Sequence, residues 1–137
     1  MRILFLDDNG DRHDEFDKQY PDDDIVHVYT YTECCTALAT LENFDIAWLD
    51  HDLGDFHEPD VHDNEYTCTK IEYTGLDVAL YICNVLEVIK CPAEIMIHSW
   101  NPSGSRYMKS EFDKAGIRAI CQPFTAACGQ APKFVLR

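Results

Sequence analysis

Basic residues are scarce in this chain. Eleven lysines and arginines stand against 25 aspartates and glutamates, giving a formal net charge of −14. A protein that follows a nucleic-acid backbone neutralises phosphates with clustered basic residues, so the charge argues against binding to duplex DNA. Long apolar runs are also missing, and a bilayer-spanning helix needs about 20 mostly apolar residues. We therefore expect no membrane interaction.

Paired cysteine motifs are absent as well. The chain has 7 cysteines but no C-x-x-C pair. An odd number without that spacing favours neither a zinc knuckle nor a disulfide framework, and we interpret these residues as buried, reduced thiols. Met1 and Arg2 lead directly into an apolar run, with no room for a secretory signal. Together these features predict a cytoplasmic protein.

Three short apolar runs each end abruptly in polar residues. They are Ile3–Leu6 before Asp7-Asp8-Asn9, Ile46–Leu49 before Asp50-His51-Asp52, and Ile95–Ile97 before His98-Ser99. Runs of this length bounded by turn residues predict buried strands. In open α/β sheets ligands bind outside the carboxyl ends of the strands. The polar residues are therefore the candidate site.

The wider pattern alternates strands and helices along one domain of 137 residues. Strands are predicted at 2–6, 25–29, 45–49, 94–98 and 117–121. Helices are predicted at 11–20, 32–43 and 74–90, and from about 101 to Gly116. Cys35, Leu38, Ala39 and Leu41 are predicted as the inner side of the second helix. This alternation indicates a parallel sheet with helices on both faces.

Residues 55–73 interrupt the pattern with an acidic insertion. Asp, Glu and His crowd this stretch, and apolar residues are few. Loops this long inside a compact domain are usually functional or disordered. We interpret the insertion as a lid over the end of the third strand. A solvated acidic loop and a metal-binding loop are the alternatives.

These motifs resemble the receiver domain of response regulators. That resemblance implies a flavodoxin-like (CheY-like) fold with five parallel strands in the order 2-1-3-4-5. Asp7 and Asp8 match the acidic pair that holds magnesium, Asp50 matches the phosphoacceptor aspartate, and Ser99 matches the Ser/Thr after the fourth strand. Gln122-Pro123-Phe124 stands where receivers have Lys-Pro-Phe. The lost lysine, the insertion and a missing or shortened fifth helix depart from an ordinary phosphotransfer switch.

A closer resemblance is to a divergent receiver-like family described as cyclic-phosphate-processing. The similar motifs are Leu-Phe-Leu-Asp-Asp at 4–8, Arg12-His13, Asp-His-Asp-Leu-Gly at 50–54, Thr74-Gly75, and Ile-His-Ser-Trp-Asn at 97–101 with Gly104 and Met108. The resemblance implies chemistry on a cyclic phosphate.

The residue types suit such chemistry. Asp7, Asp8 and Asp50 are oxygen ligands suited to Mg²⁺, or to Mn²⁺ if a histidine joins them. His13, His51 and His98 are candidates for acid–base catalysis, with Asp52 assigned to the same catalytic group. Ser99, Asn101 and Ser103 would bind phosphate at a helix N-terminus. Arg12, assigned to the same substrate-binding group, or Arg106 would balance the remaining charge.

The leading hypothesis is thus a metal-dependent phosphoesterase acting on an RNA 2′,3′-cyclic phosphate end or a cyclic nucleotide. The partner would be a small phosphate-containing ligand or an RNA terminus, and the sequence does not indicate an oligomeric state. The alternative is a receiver or pseudo-receiver module that is phosphorylated on Asp50 or docks a partner through it. A third reading is a catalytically silent nucleotide-binding protein. In the blandest reading, Asp8 and Asp52 cap local turns and the histidines pack.

Overall fold

A computed structural model describes residues 1–54, 58–59, 70–71 and 73–122. Its strands are β1 (Arg2–Leu6), β2 (Asp24–Val28), β3 (Ile46–Leu49), β4 (Glu58–Pro59), β5 (Lys70–Ile71), β6 (Glu94–Ile97) and β7 (Ala119–Cys121). Its helices are α1 (Gly10–Gln19), α2 (Tyr31–Thr40), α3 (Gly75–Asn84) and α4 (Pro102–Lys114), with a 3₁₀ turn at Val88–Lys90. Within the described ranges, no helix is long and apolar enough to cross a membrane.

Five strands form one parallel sheet in the order β2-β1-β3-β6-β7. Counting only these five, this is the predicted order 2-1-3-4-5, so the predicted fold is confirmed. The two-residue strands β4 and β5 pair antiparallel within the acidic insertion. The prediction of a lid over residues 55–73 otherwise lies outside the described residues, as does the prediction about a fifth helix.

Alternating side chains of the strands build two cores. On one face, Ile3, Phe5, Trp48 and Met96 pack with Phe16 of α1. The other face packs against the buried sides of α2, α3 and α4. The central strands are buried on both faces, as parallel strands usually are, and this fixes where their polar ends emerge.

Two helices differ from their predictions. The prediction of a helix to Lys90 is wrong, because the Leu86 N–H donates to the Tyr81 carbonyl five residues back and Glu87 is extended. Val88 and Ile89, which follow this break, are 89% and 75% exposed. The second helix begins one residue early, because Thr30 rather than Thr32 caps it. Its buried side is consequently Cys34, Ala37 and Leu38, not Cys35, Ala39 and Leu41.

Capping signals fix the other helix ends. Asn9 caps α1, which argues against a capping role for Asp8. Thr74 and Asp77 form a capping box at the start of α3. Asn101 caps α4 with Pro102 in its first turn, and Gly116 follows that helix at a φ of 74°, a conformation that glycine adopts without strain.

Candidate functional site

Three carboxylates meet at the carboxyl edge of the sheet. Asp7 and Asp8 follow β1, and Asp50 follows β3, where its N–H donates to the Leu6 carbonyl. One carboxylate oxygen from each lies within 4.8 Å of the others. Asp7 and Asp50 are buried, and Asp8 is half-buried. The sequence predicted this cluster because adjacent parallel strands bring their ends together.

Arg12 lies against all three carboxylates. Its Nε donates to Asp7 Oδ2 at 2.8 Å, and its Nη2 lies 3.7 Å from both Asp8 Oδ1 and Asp50 Oδ2. Burial opposes the charge, but the hydrogen bond to Asp7 and the negative charges around it outweigh burial and raise the pKa of Arg12. Arg12 was predicted to bind substrate. In this structure it serves as the counter-cation of the cluster.

One cation does not balance three carboxylates. Burial, reinforced by the charge of Asp7 and opposed by Arg12, raises the pKa of Asp50 to about 8. No described residue donates a hydrogen bond to Asp50 Oδ2, although this atom is buried. A buried carboxylate oxygen with no donor is costly unless a cation or proton satisfies it. The oxygen-only donor set therefore fits a hard divalent cation such as Mg²⁺.

His98 lies under the cluster as a neutral ring. Its Nε2 lies 3.0 Å from the Leu6 carbonyl, and its Nδ1 lies 3.6 Å from Asp7 Oδ2. Burial lowers the pKa of His98 to about 3, although the carbonyl contact opposes this shift. The ring also stacks on Phe5. These contacts fix the end of β1, and they do not leave His98 placed to donate a proton to a ligand.

His13 has both ring nitrogens engaged. Its Nε2 lies 2.8 Å from the Asp7 carbonyl, and its Nδ1 contacts Nδ1 of His27, whose Nε2 lies 2.8 Å from Asp17. Burial lowers the pKa of His13. His13 was predicted to be catalytic, but in this geometry neither of its ring nitrogens is free to exchange a proton with a ligand. Sequence reasoning missed His27, which the β1–β2 register with Phe5 places beside α1.

His51 is placed differently from the other two histidines. Its Nδ1 lies 2.9 Å from Asp52 Oδ1, and that carboxylate also accepts from Asn101 Nδ2 at 3.4 Å. No residue of the described segments bonds its Nε2. The ring lies against Gly104, where an added Cβ would come 2.5 Å from His51 Cγ. An imidazole held by a carboxylate, with no described residue on its other nitrogen, has the arrangement of a general base.

The N-terminus of α4 completes the site. The Gly104 N–H donates to Asn101 Oδ1 at 2.9 Å, and the Asn101 N–H donates to Ser99 Oγ at 3.0 Å. Ser103 is exposed one turn along and contacts Arg106 at 3.4 Å. The structure thus brings Ser99, Asn101 and Ser103 to one helix N-terminus, where backbone N–H groups favour anions.

A family model described as "Cyclic-phosphate processing Receiver domain" matches residues 2–114. The chain belongs to this family. The match spans β1 through α4 and therefore includes the carboxylates, the three histidines and the phosphate-binding candidates of this receiver domain. The predicted family is confirmed. No curated protein matched the sequence.

Solved structures similar to this receiver domain are response regulators. A response regulator protein from Burkholderia pseudomallei, with a phosphorylated aspartic acid, calcium ion and citrate, has 13% identity and a TM-score of 0.58 over 93% of this chain, which spans 62% of that protein. The CheY-like receiver domain protein of Methanospirillum hungatei JF-1 has 14% identity and a TM-score of 0.54, over 91% of this chain and 83% of that one.

The signal receiver domain of a Luxo repressor protein from Vibrio parahaemolyticus has 17% identity and a TM-score of 0.56, over 91% of this chain and 80% of that one. At such identities these likenesses establish the fold alone. Gln122 directly follows β7, and its N–H donates to the Ile97 carbonyl at 2.8 Å. Pro123 and Phe124, the rest of the predicted receiver motif, lie outside the described residues.

Proposed function

We propose that this receiver domain is a metal-dependent phosphoesterase that opens a cyclic phosphodiester. The observation that carries the proposal is the position of His51, which follows Asp50 directly and is paired with Asp52 at the edge where the carboxylates meet. A receiver that only accepts a phosphoryl group has no chemical need for a carboxylate-paired histidine. A hydrolase needs a base for its water.

Asp7, Asp8 and Asp50 would hold the metal, which supplies positive charge at the phosphoryl oxygens and lowers the pKa of bound water. Each of the three carboxylates has an oxygen within 4.8 Å of the other two, and a buried oxygen of Asp50 has no hydrogen bond from the described residues. Mg²⁺ and Mn²⁺ both accept oxygen ligands of this kind.

His51 takes the proton of the attacking water through Nε2, while Asp52 holds its Nδ1–H. The water oxygen bonds to phosphorus, and one of the two ring P–O bonds breaks. The released sugar oxygen takes a proton from solvent and becomes a hydroxyl, and His51 gives its own proton back to solvent. The phosphate remains as a monoester on the neighbouring oxygen. Asn101 orients this pair, because its amide reaches Asp52 and its carbonyl oxygen caps α4.

The phosphate itself would lie between the metal and the N-terminus of α4. The Ser99 hydroxyl and the Ser103 N–H supply neutral donors there, which suits an anion in a protein of net charge −14. The Asn101 and Gly104 N–H groups are used in the cap, and Pro102 has none. Arg12 adds a cation next to the carboxylates. With Arg12 and a divalent metal, three positive charges balance the three carboxylates and leave the site able to accept a phosphodiester.

The test is hydrolysis of nucleoside 2′,3′-cyclic phosphates with Mg²⁺, Mn²⁺ or EDTA. We expect turnover that EDTA abolishes, that Asp50→Asn removes, and that His51→Gln lowers by about 100-fold or more, the usual contribution of a general base. Asp113→Asn and His27→Gln are the matched controls and should retain turnover. Absence of turnover with either metal, or full activity in His51→Gln, would contradict the proposal.

Phosphotransfer to Asp50 is the second candidate. It is favoured by the position of Asp50 at the end of β3 and by its carboxylate oxygen that accepts no hydrogen bond from the described residues. Acetyl phosphate with Mg²⁺ would then add the mass of a phosphoryl group, and Asp50→Asn would remove that label. Because Gln122 stands where receivers have a lysine, one positive charge that would contact the phosphoryl oxygens is missing. We therefore prefer hydrolysis to phosphotransfer.

A further inference from the structure

A cavity of about 310 Å³ adjoins the phosphate site. It lies between the ends of β6 and β7 and the first turn of α4, and Ser99 lines it. Small-molecule sites range from roughly 300 to 1,000 Å³. The cavity is therefore at the lower end of that range, which suits one ring system rather than a peptide or a long chain.

The walls combine apolar surface with a few polar groups. Ile97, Pro102 and Cys121 give an apolar lining, and Gln122 and Arg106 add an amide and a cation. Small-molecule sites typically have this composition. An arginine here is notable because the chain carries only 11 basic residues.

Trp100 is the exposed aromatic of the cavity. Its exposed fraction is 61%, whereas Trp48, the other tryptophan, is fully buried in the core. An exposed indole beside a small apolar cavity offers a flat face on which a planar ring can stack. Arginine guanidinium groups stack on such rings as well.

The position relative to the carboxylates is set by the sheet. Asp50 follows β3, Ser99 follows β6, and β7 is the next strand. Neighbouring strands lie about 4.8 Å apart, so the cavity begins roughly one strand spacing from the carboxylates and ends about two away. A nucleoside cyclic phosphate carries its base one ribose ring away from the phosphorus, so a phosphate bound beside the carboxylates would place its base at about this distance.

We propose that this cavity binds the nucleobase of the substrate, with Trp100 stacking on the base and Arg106 and Gln122 contacting it. The inference rests on the proposed function and narrows its substrate class to nucleoside cyclic phosphates. Trp100 and Arg106 are then specificity residues. They act on binding, and the hydrolysis of a cyclic phosphate without a base does not depend on them.

The first test is independent of catalysis. Adenosine 3′-monophosphate, without metal, should quench the fluorescence of Trp100 in a saturable manner. Trp100→Phe leaves the buried Trp48 as the only tryptophan and should abolish the quenching. Tyr107→Ala removes an exposed aromatic of α4, 65% exposed and outside the cavity lining, and should leave the quenching unchanged. Equal quenching in the protein and in Trp100→Phe overturns the inference.

The second test compares two substrates. Trp100→Ala should raise the KM for adenosine 2′,3′-cyclic phosphate by about 5- to 150-fold, the usual value of one base–aromatic stack. The KM of Trp100→Ala for glycerol 1,2-cyclic phosphate, which has no base, should stay the same. Arg106→Gln should also raise the KM for the adenosine substrate alone, but by a smaller factor. If Trp100→Ala raises both KM values equally, the nucleobase site is overturned, while the proposed phosphoesterase activity still stands. Quenching without hydrolysis supports the nucleobase site and contradicts the phosphoesterase.

Discussion

At the scale of single residues, Arg12 determines the charge state of the site. It is the cation within 4 Å of all three carboxylates. A metal bound by the same carboxylates must share their charge with this guanidinium. Arg12 therefore substitutes for part of the metal charge when no metal is bound, and the stability of the metal-free protein depends on it.

Arg12→Gln should lower the stability of the protein in EDTA by on the order of 1–3 kcal/mol, because it leaves buried carboxylates without their charged donor. Saturating Mg²⁺ should recover most of this loss, since a ligand that binds only the folded state stabilises it. Thermal unfolding with EDTA and with Mg²⁺ measures both effects. Arg12→Lys, which keeps the charge, should lose less. An equal loss with and without Mg²⁺ would show that Arg12 acts through packing alone.

The residue scale is also where sequence reasoning found the candidate set but not its arrangement. The strand-end pattern predicted Asp7, Asp50, His98 and Ser99 at one edge, because parallel topology places strand ends together. It did not distinguish the three histidines. Their difference depends on ring hydrogen bonds, to the Leu6 carbonyl, to the Asp7 carbonyl and to Asp52, which no sequence spacing encodes.

At the scale of elements, the start of α4 packs against the end of β3 through Gly104 and His51. An alanine Cβ at Gly104 would lie 2.5 Å from the imidazole Cγ, so the ring would have to move. Gly104→Ala should then lower turnover by about 10- to 100-fold, since a displacement of this size is enough to misalign a catalytic group. The melting temperature should change little, because the displaced group is a side chain.

Gly10→Ala is the matched control, because a Cβ there meets no heavy atom within 4 Å. Kinetics of both variants with a cyclic nucleotide, alongside their melting curves, separate the site from the fold. Full activity in Gly104→Ala would mean that the position of the His51 ring is not needed for catalysis.

The shortened α3 gives a second prediction at this scale. Apolar periodicity predicted a helix to Lys90, but tertiary contacts stabilise a turn there instead. Asn43 Nδ2 donates to the Ile89 carbonyl at 2.6 Å, and Lys90 Nζ donates to the Leu41 carbonyl at 3.1 Å. The double variant Val88→Ser, Ile89→Ser should change the free energy of unfolding by less than about 1 kcal/mol, as exposed substitutions do. A buried helix would lose several kcal/mol on urea denaturation.

At the scale of the whole molecule, stability should depend on pH through Asp50. An unfolded aspartate titrates near a pKa of about 3.9, whereas burial raises the pKa of Asp50 to about 8 in the fold. Asp50 favours the folded state when protonated. This contribution is present below about pH 4 and is lost as the pH rises through about 8.

In EDTA, the protein should therefore lose stability relative to Asp50→Asn between pH 4 and pH 8, by on the order of a few kcal/mol. Urea unfolding of both proteins across this range measures the difference. Mg²⁺ should reduce it, because the metal compensates the ionised carboxylate. Parallel stability curves in EDTA would contradict the raised pKa.

The architecture of the whole chain was the most predictable feature. Short apolar runs alternating with capped helices determine a parallel sheet, and the right-handed crossover rule leaves few topologies. The starts of α3 and α4 were predicted at 74 and at about 101, and Thr74 and Asn101 cap these helices. The start of α2 was missed by one residue, because Thr30 and Thr32 both suit an N-cap and local sequence does not decide between them.

Two buried imidazoles contact the consecutive carbonyls of Leu6 and Asp7, where β1 ends, and this has a consequence for dynamics. His98 reaches the carbonyl of Leu6, and His13 reaches that of Asp7, from different elements. The Asp7 and Asp50 N–H groups bond to neighbouring strands at the same level. Opening this segment breaks all four contacts together, so its amides should exchange with deuterium only through large-scale unfolding. The carboxylates thus project from a rigid backbone segment, whose conformation should change little when a ligand binds or dissociates.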